Sequence, residues 1–174
     1  NTLSEQDRAY LLNWFAREAL AALDQIMIRI QQMPNLACRR LFMVSLSNIL
    51  RCVSWQKDDD LRVRRNVSED IPDVISEFLT ELNRSVKTIL AFLYENQGQA
   101  MGTAHFLEGN AQQADRLLVA HAGQIDVLIT SPPYATALPY LDTDRLSLYY
   151  LGLLSRPEHR KRDYQMIGNR EISN

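Results

Sequence analysis

The apolar run "IDVLIT" (residues 125–130) ends, after Ser131, against two adjacent prolines, Pro132 and Pro133, with Tyr134 next. Neither a sheet ladder nor a helix continues through such a pair, because each proline lacks an N–H and holds φ fixed. The chain must therefore turn rigidly here and present carbonyl acceptors without matching donors. A run rich in β-branched residues and bounded by turn signals predicts a buried strand. In open α/β sheets ligands bind beyond the carboxyl ends of the strands. Ser131, Pro132, Pro133 and Tyr134 fall at that place.

The preceding segment supports the same class. "AHFLEGN" (104–110) predicts a short strand, "AQQADRLLVA" (111–120) a helix, and Gly123 a break before the proline-capped strand. Strand, helix, strand is the unit of a parallel α/β sheet. Residues 1–97 read differently. Ser4-x-x-Asp7 resembles a capping box, and Leu11, Phe15, Ala19, Leu23, Ile26, Met27 and Ile30 recur at helical spacing until Met33-Pro34. Leu36 to Val53 is apolar on most sides and predicts a helix buried by neighbours. The charged stretch Trp55–Val67 predicts a loop. A third helix starts near Pro72, with its stripe at Ile71, Val74, Ile75, Phe78, Leu82, Val86, Ile89 and Leu93, and stops near Gly98. A last helix, capped by Asp142 or Thr143, carries Leu146, Tyr149, Tyr150 and Leu153 and ends before Pro157. The tail has no strong period. The expected division is a helical insert or recognition segment over 1–97 and a site-bearing α/β region over 98–174.

With 174 residues, 46% of them hydrophobic, the chain is long enough for one ordinary domain or two small ones. A net charge of −2 argues against a globally basic nucleic-acid binder and leaves local basic patches open. Cys38 and Cys52 lack metal-ligand spacing and are expected to be reduced core residues of a cytoplasmic protein. No apolar run reaches membrane-spanning length, and no signal peptide is expected. The first residue is Asn and the end is polar "GNREISN"; the expectation is a piece of a larger protein.

A rigid pair of acceptors with a Ser oxygen suits an amino group that has two hydrogens to donate, and Tyr134 offers a face for a planar ring. An exocyclic amino group of a nucleobase fits both. Acceptors around it favour pyramidal nitrogen and stabilise developing positive charge, the mirror image of an oxyanion hole. An aromatic platform offsets the stacking lost when the base leaves the helix.

"LITSPPY" resembles the catalytic motif of the amino-group DNA methyltransferases, written [DNS]-P-P-[YFW]. The extension "SPPYATALPYLDTDRLSLYYLGL" is similar to members whose motif leads into a Leu/Tyr-rich helix. The resemblance implies a predominantly helical α/β chain in which a helical N-terminal segment precedes part of a Rossmann-like methyltransferase sheet. It implies S-adenosylmethionine as donor and DNA as partner, with cytosine N4 favoured over adenine N6 by Ser131. Ser131 and the Pro132 carbonyl would bind the amino group, Pro133 would stiffen the loop, and Tyr134 would stack on the flipped base. Gly109-Asn110-Ala111 stands where relatives carry Gly-Asp-Ala, so Asn110 would contact the donor's adenine, with Asp126 opening the catalytic strand as an acidic residue does in relatives. The family's Gly-rich donor loop has no counterpart among the glycines at 98, 102, 109, 123, 152 and 168, and is expected N-terminal to Asn1.

Arg156, Arg160, Lys161 and Arg162, with His159, form a basic cluster that either contacts DNA phosphates or is a solvated surface. Lys57, Arg62, Arg64 and Arg65 form a second, with the same two readings. No complete metal-ligand set accompanies Asp58-Asp59-Asp60. Tyr149 and Tyr150 are expected in the core or its rim, and the helical segment could seat a partner subunit or a second copy. The other readings are an RNA or protein-amide methyltransferase, and a non-catalytic helical interaction module with a remnant of the fold.

Overall fold

The computed structural model describes residues 3–56, 64–67, 70–131 and 140–166. Within them the chain is predominantly helical. Helix α1 spans Glu5–Leu11, α2 Arg17–Gln31, α3 Leu36–Ile49 and α4 Val74–Glu95. Short helices follow: α5 (Ala114–Leu117, flanked by two 3-10 turns), α6 (Tyr140–Thr143), α7 (Arg145–Tyr150) and α8 (Arg156–Tyr164).

The caps explain most of the helix starts. Ser4 Oγ accepts from the Asp7 N–H at 3.0 Å, Asn35 Oδ1 from Cys38 at 2.9 Å, and Asp73 Oδ1 from Ser76 at 2.8 Å. The single helix expected over the first thirty or so residues is two. Trp14 N–H and Phe15 N–H both bond to Leu11 O, and Ala16 is extended at ψ 149°. This turn buries Leu11 and Phe15 together and lets α2 leave in a new direction. The helix α3 is not buried on all sides: Leu36 and Val44 are exposed, and its second half supplies Ser45, Leu46 and Ile49 to the core. Cys38 is exposed and Cys52 half-buried, neither is in a disulfide, and only Cys52 borders the core.

The core joins α1–α4 to α7. Leu11, Phe15, Leu20, Leu23, Leu46 and Leu50 meet Val74 and Phe78 from α4, and Leu146, Tyr149, Tyr150 and Leu151 from the C-terminal region. Burying these side chains is the main driving force for packing, at about 1.5–3 kcal/mol for each large one. Polar bonds fix the register of α7. Ser147 Oγ lies 3.3 Å from Ser47 O, and Tyr150 Oη lies 3.2 Å from Asp24 Oδ1. Gly152, at φ +66°, ends α7, and the N–H groups of Leu153 and Leu154 fold back onto Leu148 O. That turn aims α8 at α1, where the Arg156 N–H donates to Asp7 Oδ1 at 3.2 Å.

The parallel sheet expected from residues 104–130 is not formed among the described residues. The two predicted strands run without ladder partners, and their side chains are exposed: Phe106 at 95%, Ile129 at 91%. A strand is stable only beside neighbours that satisfy its backbone and cover its face, and the described residues provide none; their one β-bridge joins Gln56 to Arg65. The intervening helix is reduced to α5 between its 3-10 turns. Within the tail, which lacks an apolar period, Arg156–Tyr164 form α8. The Ser155 N–H and hydroxyl both donate to the Glu158 carboxylate, and Pro157 sits in the first turn. Pro157 therefore opens a helix rather than following one.

Candidate functional site

Ser131 is exposed at the end of the extended segment, and Pro132, Pro133 and Tyr134 lie outside the described residues. Asn110 is exposed and turns its carboxamide oxygen inward on its own loop, accepting from Gln112 N–H at 2.9 Å. Asp126 is also exposed. A donor of the expected size needs a concave, largely apolar site that encloses most of its surface. Two exposed side chains do not supply that enclosure, so the described residues do not fit S-adenosylmethionine by themselves. No group of three or more His, Cys, Asp or Glu among the described residues could hold a metal ion, and no helix among them is long and apolar enough to cross a membrane.

The basic cluster after the motif is divided. Arg156 and Arg160 line a cleft of about 690 Å³ with Tyr10, Asp142, Arg145, Tyr149 and His159; Lys161 and Arg162 are not among its walls. The cleft lies where α8 returns against α1. Tyr10 and Trp14 are one helical turn apart in sequence, with ring centroids separated by 6.2 Å. The Arg145 guanidinium lies 4.2 Å from the Trp14 centroid, and that of Arg156 lies 4.5 Å from the Tyr10 centroid. Such stacking holds a guanidinium plane in place while leaving its edge free to donate. The His159 ring packs edge-on to Tyr149 at 5.5 Å, and its Nε2 is 3.7 Å from Asp142 Oδ1, too far for a hydrogen bond.

Burial sets the electrostatics of the aromatic wall. It pushes the Tyr149 phenol up to about 12, reinforced by neighbouring Tyr10 and opposed by Arg145 and Arg156. Burial likewise raises Tyr10 against the pull of Arg145. Both phenols are neutral hydrogen-bonding groups through the physiological range. Tyr149 and Tyr150 belong to the core, as expected. Neither Asp142 nor Thr143 caps the helix that carries Tyr149 and Tyr150: both lie within α6, Asp144 stands at the start of α7 without a side-chain cap bond, and Asp142 faces His159.

Arg145, Tyr10 and Trp14 were not singled out by the sequence. Their signal was present: aromatic residues at i and i+4 in the first helical region, and an arginine on an otherwise apolar last helix. In the second basic cluster, Lys57 and Arg62 lie outside the described residues, and Arg65 donates through Nη1 to Asn13 O at 2.9 Å, a structural use. No family model, curated protein or solved structure matches the chain.

Proposed function

We propose that this chain is the acceptor-side part of an S-adenosylmethionine-dependent DNA methyltransferase that modifies an exocyclic amino group, cytosine N4 in preference to adenine N6. The observation that carries the reading is Ser131-Pro132-Pro133-Tyr134 directly after the Asp-led apolar run at 126–130. The exposure of that run supports it. Val127, Leu128 and Ile129 are 72–91% exposed, an arrangement that calls for flanking strands from additional polypeptide. The chain's own chemistry is positioning. Ser131 Oγ and the Pro132 carbonyl accept the two amino hydrogens and draw the nitrogen lone pair out of conjugation with the ring, while Tyr134 holds the extruded base. S-adenosylmethionine supplies the methyl group. Direct transfer needs no protein nucleophile, so neither Cys38 nor Cys52 is assigned one.

The test is transfer of a labelled methyl group to duplex DNA by the protein that carries this chain, with Ser131→Ala and Tyr134→Ala beside it. Removal of one preorganised partner of a developing charge costs about a hundredfold or more in rate. Equal activity in both variants and the parent removes the assignment. A second reading, a helical interaction module, is favoured by the far end of α4, where Ile89, Leu90, Phe92 and Leu93 are all exposed. It predicts partner binding through α4 and no methyl transfer.

A further inference from the structure

We propose that the cleft between α1, α7 and α8 is a phosphodiester-binding site. Arg145, Arg156 and Arg160 there hold the backbone of a nucleic acid without reading its sequence. The site stands on its own geometry; that its phosphate belongs to DNA rests on the methyltransferase reading.

Charge is the first argument. Three guanidiniums and one carboxylate, Asp142, line the cleft, an excess of two positive charges without counting His159. That concentration stands out in a chain of net charge −2. The ion pairs of Arg8 with Asp24 and of Arg84 with Glu81 lie outside the cleft, and neither draws on Arg145, Arg156 or Arg160. The local excess is therefore not consumed internally and favours an anion.

Preorganisation is the second. Arg145 is fixed over Trp14 and Arg156 over Tyr10, so both forks are held before a ligand arrives. A planar fork matches two oxygens of a phosphate group, and fixing it in advance reduces the entropy lost on binding. The third is polar satisfaction. Arg145 Nε and His159 Nε2 are buried and have no hydrogen-bond partner. Buried polar atoms without partners are uncommon and unfavourable; these two are closed off from solvent as the side chains stand, so a small shift of Arg145 or His159 toward an anion in the cleft would supply the missing partner.

The aromatic faces decide the kind of contact. A site for a base needs an open ring face, whereas the Tyr10 and Trp14 faces already carry guanidiniums. What remains for the ligand is the row of cationic edges, which suits backbone phosphates and not bases. Such contacts set the position and orientation of the nucleic acid.

The experiment is fluorescence anisotropy of a labelled DNA duplex titrated with the chain, across a series of salt concentrations. Arg145→Gln/Arg156→Gln is compared with Arg29→Gln, a substitution on exposed α2 surface away from the cleft. Arg145→Lys and far-ultraviolet circular dichroism establish that the helical fold persists. The expected result is affinity lower by roughly tenfold or more in the double variant, with a salt slope shallower by about two, and no change in Arg29→Gln. Equal binding by the double variant and the parent overturns the site while leaving the amino-methylation reading intact. Binding of poly-glutamate but not DNA also overturns it, by making the ligand an acidic protein. DNA binding that depends on both arginines, in a protein that transfers no methyl group, sustains the site and removes the reading above.

Discussion

Tyr150 Oη donates to Asp24 Oδ1 across 3.2 Å, joining α7 to α2 over 126 residues of sequence. The same carboxylate pairs through Oδ2 with Arg8 Nη1 at 2.6 Å. One acidic group thus ties α1, α2 and α7 together. Tyr150→Phe removes one of its two partners and preserves the ring's packing. We expect a loss of about 1 kcal/mol, the usual net value of such a bond, read as a lower urea midpoint at unchanged m. Asp24→Ala should cost more, because it strands the buried Tyr150 hydroxyl and frees Arg8. An Asp24→Ala variant as stable as the parent would show that the bond contributes nothing.

Alkaline pH tests the same wall. Burial raises Tyr149 to about 12 and raises Tyr150 further in the same direction, with Asp24 adding to the effect. In the unfolded chain both phenols ionise near about 10. Above that pH the unfolded state holds fewer protons than the native state, so stability falls as pH rises, fully present below about 10 and declining steadily toward 12. Tyr149→Phe should flatten part of that decline in denaturation series from pH 8 to 11.5. A stability that stays level over this range would contradict the burial of both phenols.

The helical core and the far end of α4 should respond differently to truncation. Leu46 is fully buried, and Leu46→Ala should cost about 2–5 kcal/mol through lost transfer energy and a residual cavity. Leu90 is 59% exposed, and Leu90→Ala should stay within about 0.5 kcal/mol. Equal large losses would mean that the end of α4 is covered.

Donor binding separates the chain from the whole activity proposed for it. Calorimetry with S-adenosylmethionine should give no measurable heat of binding to these 174 residues. Micromolar binding would show that the chain builds a donor site after all.

Helix positions were largely legible because caps and apolar stripes are local. Ser4 and the Met33-Pro34 stop act where the sequence indicates, and α4 starts near Pro72 as expected, although Asp73 is its cap and Pro72 precedes it rather than sitting in the first turn. The turn at residues 12–16 was not legible, since Leu11 and Phe15 keep helical spacing through it and only their shared burial favours the break. Helix α8 escaped a search for apolar period because it has almost no apolar face; its Ser155–Glu158 capping pair and Pro157 were the readable signals. The strands failed for another reason. The pattern at 104–110 and 125–130 is a strand pattern, but a sheet is a property of several segments, and the described residues contain no pairing partners for these. Half of the basic cluster, Arg156 and Arg160, lines the cleft, while the residues that organise it come from α1 and α7, a relationship no local pattern encodes.

The central claim is that the acceptor is an exocyclic amino nitrogen. The most direct measurement is mass spectrometry of nucleosides from DNA incubated with the methyl donor and the protein that carries this chain. The account predicts N4-methylcytosine, or N6-methyladenine if the base preference differs, and loss of that product in Ser131→Ala. Methyl groups found on cytosine C5, or on RNA or protein with none on DNA, would contradict it.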